Sequence, residues 1–197
     1  MRYEIRLSGM GGQGLLLAGI IVAEAAMAQG RNVVQTASYG PESRGGASRS
    51  EVIISDLEID YPAVIEADLL FAMTQEAAER YMREVKPAGT AIFDSTWVKS
   101  IPSGDVANVY YYPLTERAIE KYQKPIFANV IGLGMICRAS GAVEPSFLES
   151  ALLERVPKRY PEANKLAFNL GIELFDSGRI FRGTPGSPVE AIALSEA

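Results

Sequence analysis

Gly9-Met10-Gly11-Gly12-Gln13-Gly14 sets four glycines in six residues between a short apolar stretch and a long one. Ahead of it, Tyr3-Glu4-Ile5-Arg6-Leu7 alternates as a first strand does, and Leu15 to Ala28 reads as a helix rich in Leu, Ile and Ala. A strand, a glycine turn and a helix N-terminus together offer unpaired backbone N–H groups and the positive end of a helix dipole to an anion. Gly9, Gly11 and Gly14 fit the G-x-G-x-x-G spacing, in which missing Cβ atoms permit a tight turn, close approach of a phosphate and helix–strand packing. The side-chain amide of Gln13 can add an uncharged donor. Gly9, Gly11, Gly12, Gln13 and Gly14 are therefore candidate phosphate-binding residues. The competing reading is a tight turn between strand and helix that binds nothing.

A dinucleotide site needs one more part, an acid after the second strand to hold the ribose. That strand, Asn32-Val33-Val34-Gln35, runs into Thr36-Ala37-Ser38-Tyr39, and the first acid beyond it is Glu42, inside a loop. Ordinary nicotinamide binding loses its main support; phosphate binding at the turn does not.

The same loop holds a second set of polar groups. Ser38-Tyr39-Gly40-Pro41-Glu42-Ser43-Arg44-Gly45-Gly46-Ala47-Ser48-Arg49 is long for a connection between two strands, which favours a functional loop. Gly45 and Gly46 free backbone N–H groups, Arg44 and Arg49 bring fixed charge, and the serines bring hydroxyls, the parts of an anion-binding loop. Ser38, Tyr39, Arg44, Gly45 and Gly46 join the candidate list. A solvated surface loop is the plainer alternative.

Composition narrows the chemistry. The 197 residues suit a single α/β domain over residues 1–180, with a Gly-, Pro- and Ser-rich extended tail over 181–197. A net charge of −5 argues against nucleic acid as a partner, and no apolar stretch reaches the ~18–20 residues of a membrane span. The absence of histidine removes the commonest general acid–base group and metal ligand. Cys137, the single cysteine, cannot hold an iron–sulfur cluster that needs about four thiolates, and its apolar helical setting marks it as a small buried hydrophobe. No catalytic residue and no metal site are expected here. Acids at Glu4 and Glu24 and the split by the glycine turn speak against a signal peptide at the N-terminus, so the chain reads as cytoplasmic.

These motifs must be positioned by a framework. Strands are expected at Val52–Ser55, Asp68–Ala72 (central), Thr90–Asp94 and Val109–Tyr112, with a polar helix from Gln75 to about Val85. Helices then follow at Leu114–Lys121, Asn129–Ala139, Glu144–Val156 and Pro161–Ser177. The order predicts a Rossmann-like, open, mostly parallel α/β sheet with flanking helices and a helical C-terminal part.

The two glycine motifs, in this order and in a chain of this size, resemble the gamma subunit of 2-oxoacid:ferredoxin (acceptor) oxidoreductases. Asn129-Val130-Ile131-Gly132-Leu133-Gly134 is similar to a further element of that family, and the likeness spans residues 3–177. The Tyr39–Gly46 stretch looks most like the 2-oxoglutarate type, with pyruvate, branched-chain and indolepyruvate relatives close behind. The resemblance implies a reaction shared among subunits. A 2-oxoacid is decarboxylated on thiamine diphosphate with Mg²⁺, the acyl group passes to coenzyme A, and electrons leave through iron–sulfur clusters to ferredoxin or another acceptor.

It also implies that alpha and beta subunits, and in some enzymes a small ferredoxin-like subunit, carry thiamine diphosphate and the clusters. This chain would contribute a coenzyme A or phosphate turn and an assembly surface, and would be inactive alone. Its apolar content and the aromatic run Tyr110-Tyr111-Tyr112 with Trp97 suggest a surface that meets alpha, or a second copy in a homodimer when alpha is absent. Two other classes stay open: a free-standing nucleotide-dependent oxidoreductase, and a purely structural partner whose glycines only pack.

Overall fold

A computed structural model of the chain describes residues 1–39, 47–157 and 159–189. The elements in order are β1 (Arg2–Met10), α1 (Leu15–Ala28), β2 (Asn32–Tyr39), β3 (Ala47–Ser55), β4 (Ala67–Ala72) and α2 (Gln75–Tyr81), the last running into a 3-10 turn at Met82–Glu84. β5 (Val85–Asp94), β6 (Asn108–Tyr112), α3 (Leu114–Tyr122), α4 (Phe127–Ser140), α5 (Pro145–Arg155), α6 (Pro161–Asp176) and β7 (Phe181–Arg182) complete them. The strands form one sheet in the order β2-β3-β1-β4-β5-β6-β7. β1, β4, β5 and β6 are mutually parallel, β2 points the same way, and β3 and β7 run against them. The mostly parallel sheet, with β4 at its centre, is the one expected.

The steady alternation of strand and helix is not what builds its left half. β2 and β3 pair antiparallel, with Tyr39 opposite Ser48. Residues 40–46 are too few for a parallel crossover, which takes a dozen or more, but enough for a hairpin. β3 then inserts beside β1 in a second antiparallel pairing, Gly9 opposite Ser48 and Met10 opposite Ala47.

Both faces of the sheet are covered. Ile5 and Leu7 of β1 face a core formed with α1, α4, α5 and α6, whereas Leu70, Ala72, Ala91 and Phe93 face α2 and the 95–107 segment. α4 is buried from Phe127 through Cys137, as its all-round apolar pattern predicts, because it lies between the sheet and α6. Glycines let these layers approach closely. A Cβ on Gly171 would lie 2.9 Å from Gly134 Cα and collide with the Ile131 carbonyl, and one on Gly132 would run into the Phe71 ring.

The stretch after Gly178 pairs in part with the sheet. Phe181–Arg182 lies antiparallel to Tyr110–Tyr111, the Gly183 N–H donates to the Val109 carbonyl, and the Val189 N–H donates to the Lys99 carbonyl. An edge of β6 is thereby covered, and residues 190–197 fall outside the described part.

Candidate functional site at the carboxyl edge of the sheet

β1 and β4 are neighbours, yet the helices that follow them pack on opposite faces, α1 against β3 and α4, α2 against β1 and β4. Such a switch point opens a crevice beyond the carboxyl ends of the strands, where ligands of open α/β sheets bind. The glycine turn lies across it. The Met10 N–H donates to Gln13 Oε1 at 2.7 Å, and Gln13 Nε2 donates to the Met73 carbonyl at 3.3 Å, tying the end of β1 to the residue after β4. The Gln13 N–H donates to the Met10 carbonyl at 3.2 Å.

Gln13 thus also holds the turn closed: its backbone N–H and one of its two amide hydrogens are engaged within the chain, and the second amide hydrogen is left for a ligand. Gly9 leaves room for that closure: a Cβ there would strike Gln13 Oε1 and lie 2.8 Å from the Leu15 side chain. Gly12 (φ 97°) and Gly14 (φ 77°) take the positive φ that other residues avoid. Gly12 is exposed, and a Cβ on it would meet nothing within 4 Å among the described residues. Gly11 is half-buried beside it.

Gly14 is the N-cap of α1, so no side chain caps that helix, and its first turn contains no acid. α4 and α5 likewise lack a side-chain cap and a first-turn acid, whereas α2 has both. The start of α2 is capped by Thr74, whose Oγ1 accepts from the Ala77 N–H, and has Glu76 in its first turn. A fourteen-residue helix with no side-chain cap and no first-turn acid keeps donors and dipole available to an external anion.

The hairpin brings the second motif to the same place. Ser38 is exposed and paired with Arg49, and Tyr39 ends β2 opposite Ser48. Ser8 Oγ donates to the Ser48 carbonyl at 3.1 Å, fixing the hairpin base beside Gly9. Arg44, Gly45 and Gly46 lie outside the described residues, just ahead of the start of β3, which adjoins the glycine turn. The structure thus brings Gly9–Gly14, Ser38 and Tyr39 to the same edge of the sheet, the turn after β1 and the two polar residues two strands away at the end of β2.

Comparison with known proteins decides the family. Residues 4–174 match the family model described as pyruvate ferredoxin/flavodoxin oxidoreductase. The 2-oxoglutarate synthase subunit KorC of Methanocaldococcus jannaschii is 45% identical over 177 residues, covering 88% of this chain and 94% of its own. The chain belongs to the pyruvate ferredoxin/flavodoxin oxidoreductase family. Within it, this is a gamma-type subunit of a 2-oxoacid:ferredoxin oxidoreductase. The gamma subunit of a keto/oxoacid ferredoxin oxidoreductase from Geobacter sulfurreducens superposes with a TM-score of 0.77 at 43% identity, over 87% of this chain and 96% of that one. The same fold, at 22% identity and a TM-score of 0.72, covers 96% of this chain but 34% of a 2-oxoglutarate:ferredoxin oxidoreductase chain from Magnetococcus marinus, solved with 2-oxoglutarate, coenzyme A and succinyl-CoA bound.

The family's enzymes use thiamine diphosphate and iron–sulfur clusters in multi-subunit complexes. The single cysteine of this chain does not fit an iron–sulfur cluster, which takes about four thiolates. Cys137 is buried, its thiol donates to the Val143 carbonyl at 3.4 Å, and burial pushes it up to about 11. No group of three metal-ligating side chains stands together among the described residues. Nor is any described helix long and apolar enough to cross a membrane.

The gamma subunit's aromatic run corrects one expectation. Tyr111 and Tyr112 are buried, and Tyr110 packs on Phe175 with ring centroids 4.9 Å apart, so these rings fill the core under α6 and β7 rather than forming an assembly surface. Trp97 does remain half-exposed, its Nε1 donating to Thr115 Oγ1. Behind it the fully buried Asp94 accepts from the N–H and hydroxyl of Thr115 and from the Thr96 N–H, and burial raises its carboxyl above the ordinary value.

Two features of the site escaped the sequence reading. Asn129 at the start of α4 donates through Nδ2 to the Gln13 carbonyl at 3.0 Å, while its Oδ1 is enclosed without a hydrogen-bond partner among the described residues. A polar residue in an otherwise apolar helix was the available signal. Beneath the crevice, the buried Arg6 donates to Glu51 at 2.7 Å, Glu84 at 2.5 Å and the Val64 carbonyl at 2.7 Å, and stacks on Tyr81. It ties β1 to β3, the 3-10 turn and the 56–66 loop. Its alternation within β1 marks a face, but nothing local announces partners so distant in sequence.

Proposed function

We propose that this chain is the gamma subunit of a 2-oxoglutarate:ferredoxin (acceptor) oxidoreductase, which makes acyl-CoA and CO₂ while reducing ferredoxin, and that its glycine turn takes a phosphate of coenzyme A. The observation that carries the second part is the start of α1: an αL glycine in place of a side-chain cap, no acid in the first turn, and an exposed Gly12 beside it at the sheet's switch point. The similarity to 2-oxoglutarate synthase subunits supports the first. Thiamine diphosphate, Mg²⁺ and the clusters then belong to alpha, beta or a small ferredoxin-like subunit, since Cys137 is the one thiol here. When bound in the complex, thiamine diphosphate supplies the carbanion chemistry. This chain's own part is to orient coenzyme A and to hold the assembly together.

Arg44, with Gly45 and Gly46, adds a fixed positive charge toward the same phosphate or toward a carboxylate of alpha. The chain works in the cytoplasm with these partners, and alone it self-associates as a homodimer. A lone cysteine with no possible disulfide partner suits a reducing compartment.

The test uses the complex reconstituted with alpha and beta, thiamine diphosphate, Mg²⁺ and coenzyme A. Gly12→Val should raise the KM for coenzyme A about tenfold and leave the KM for 2-oxoglutarate and subunit co-elution unchanged. An assembled variant with an unchanged KM for coenzyme A removes the turn from the site. A preference for pyruvate or a branched-chain 2-oxoacid overturns the substrate assignment. Arg44→Lys and Arg44→Ala should both be damaging, because Lys lacks the planar fork.

A further inference from the structure

A cavity of about 210 Å³ opens between α1, α4, α5 and α6, on the helical side of the molecule. Its wall is almost wholly aliphatic, with Leu17, Ile21, Val130, Leu133, Leu152 and Val156 among the side chains that line it. No carboxylate among the described residues takes part. The exceptions to the apolar lining are Asn129, Asn164, Tyr160 and Lys124, and the Lys124 ammonium lies 3.8 Å from the centre of the Tyr160 ring. Gly14, where α1 begins, also borders the space, so the positive end of that helix adjoins it. An apolar cavity of about 150 Å³ is already enough to hold a benzene ring in a protein interior. This one is larger, opens to solvent, and has a cation held in place by an aromatic face.

We propose that this cavity is a ligand site distinct from the phosphate turn, and that it takes a short aliphatic chain of about six to eight carbons with a single anionic head, scaled from the benzene-sized cavity. The chain fills the aliphatic interior, and the head pairs with Lys124 at its mouth. A neutral hydrocarbon would gain nothing from the ammonium held beside Tyr160. A bulky polar ligand would strip water from its polar groups against a wall with few partners for them.

The experiment is direct binding of octanoate to the full chain by calorimetry, beside hexanoate, dodecanoate and the uncharged octanamide. Octanoate should bind saturably with one site per chain, and affinity should peak between six and eight carbons. Lys124→Gln should weaken octanoate about tenfold and leave octanamide unchanged. Ala18→Leu, which fills the space from α1, should abolish binding of both. Should Ala18→Leu fail to fold, the chain-length series and Lys124→Gln decide by themselves. Three results overturn the proposal: no saturable binding of octanoate at millimolar concentration, affinity that keeps rising to dodecanoate, or octanoate binding indifferent to Lys124→Gln.

Discussion

The glycines of the 9–14 turn and those of the α4–α6 crossing differ in what a side chain would meet. At Gly134 and Gly171 a Cβ would press on backbone atoms of the facing helix. At Gly12 it would meet nothing among the described residues, and there the demand for glycine comes from its φ. Gly14 combines both demands, with positive φ and a Cβ that would strike Asn129 Nδ2. One glycine-rich pattern therefore has two physical causes, and only an open, positive-φ turn leaves backbone donors for a ligand. The Asn129–Gly134 element is similar to a further element of the family, yet its glycines serve packing, against Phe71 and α6.

The sharpest way to break this comparison is Gly171→Val. Facing the Ile131 carbonyl, with Gly134 Cα and Met135 N each 2.9 Å from the Cβ, the new side chain has backbone on its far side, and backbone cannot rotate away. The cost should be about 3 kcal/mol or more, a fall of roughly 6–12 °C in Tm for a chain of this size. Thermal melting followed by circular dichroism reads it directly. A loss below about 1 kcal/mol would mean that the helices do not cross this closely.

Gly14→Ala comes next, and a double-mutant cycle divides its cost. The single change should cost about 2–3 kcal/mol, from strain at φ 77° together with the collision with Asn129. Adding Asn129→Ala removes the collision but not the strain, so the pair should recover about half of the loss. If the double variant is no better than the sum of the singles, contact with Asn129 plays no part and glycine is required at position 14 by backbone geometry alone.

Cys137 lies on α4, one turn beyond Gly134, and tests how tightly that region is closed. Its thiol is raised from 9.0 to about 11 by burial. The sign follows from the protons held: between those values the unfolded chain has lost the thiol proton and the folded chain keeps it. The stabilisation is therefore complete below about pH 9 and lost as pH rises toward 11, by on the order of 2 kcal/mol. Denaturant unfolding of the chain and of Cys137→Ala from pH 8 to 11 should show a steeper decline for the wild type. Parallel curves would show that the thiol is open to solvent.

The framework was far more legible in the sequence than the site. Hydrophobic runs and their period marked β1, α1, β4 and α4 closely, because each buries a face continuous in sequence. The antiparallel placement of β3 was missed, since a loop of that length was read for its chemistry and not for the hairpin it permits. Gln13 was read by its type as a donor. Its commitment to Met10 and Met73 depends on β4 returning beside β1, which no local pattern records. Lys124 and Tyr160 meet across α3–α4 and α5–α6 connections for the same reason.

The smallest expected effect belongs to Gly12, and its size is what makes it informative. Since a Cβ there has open space among the described residues, Ala and the unbranched-at-Cβ Leu should cost about the same, about 1 kcal/mol each, set by the backbone strain at φ 97°. A Tm lowered by roughly 2–4 °C, equal for both variants of the isolated chain, fits that account. In the assembled enzyme the two should separate. The larger side chain projects to where a phosphate would approach the turn, so Gly12→Leu should weaken coenzyme A use more than Gly12→Ala does. Equal stability with unequal KM for coenzyme A identifies Gly12 as a residue kept open for a ligand. Unequal stability in the isolated chain would mean that the space is already filled by the protein itself, and the turn would then join α4–α6 as a packing motif.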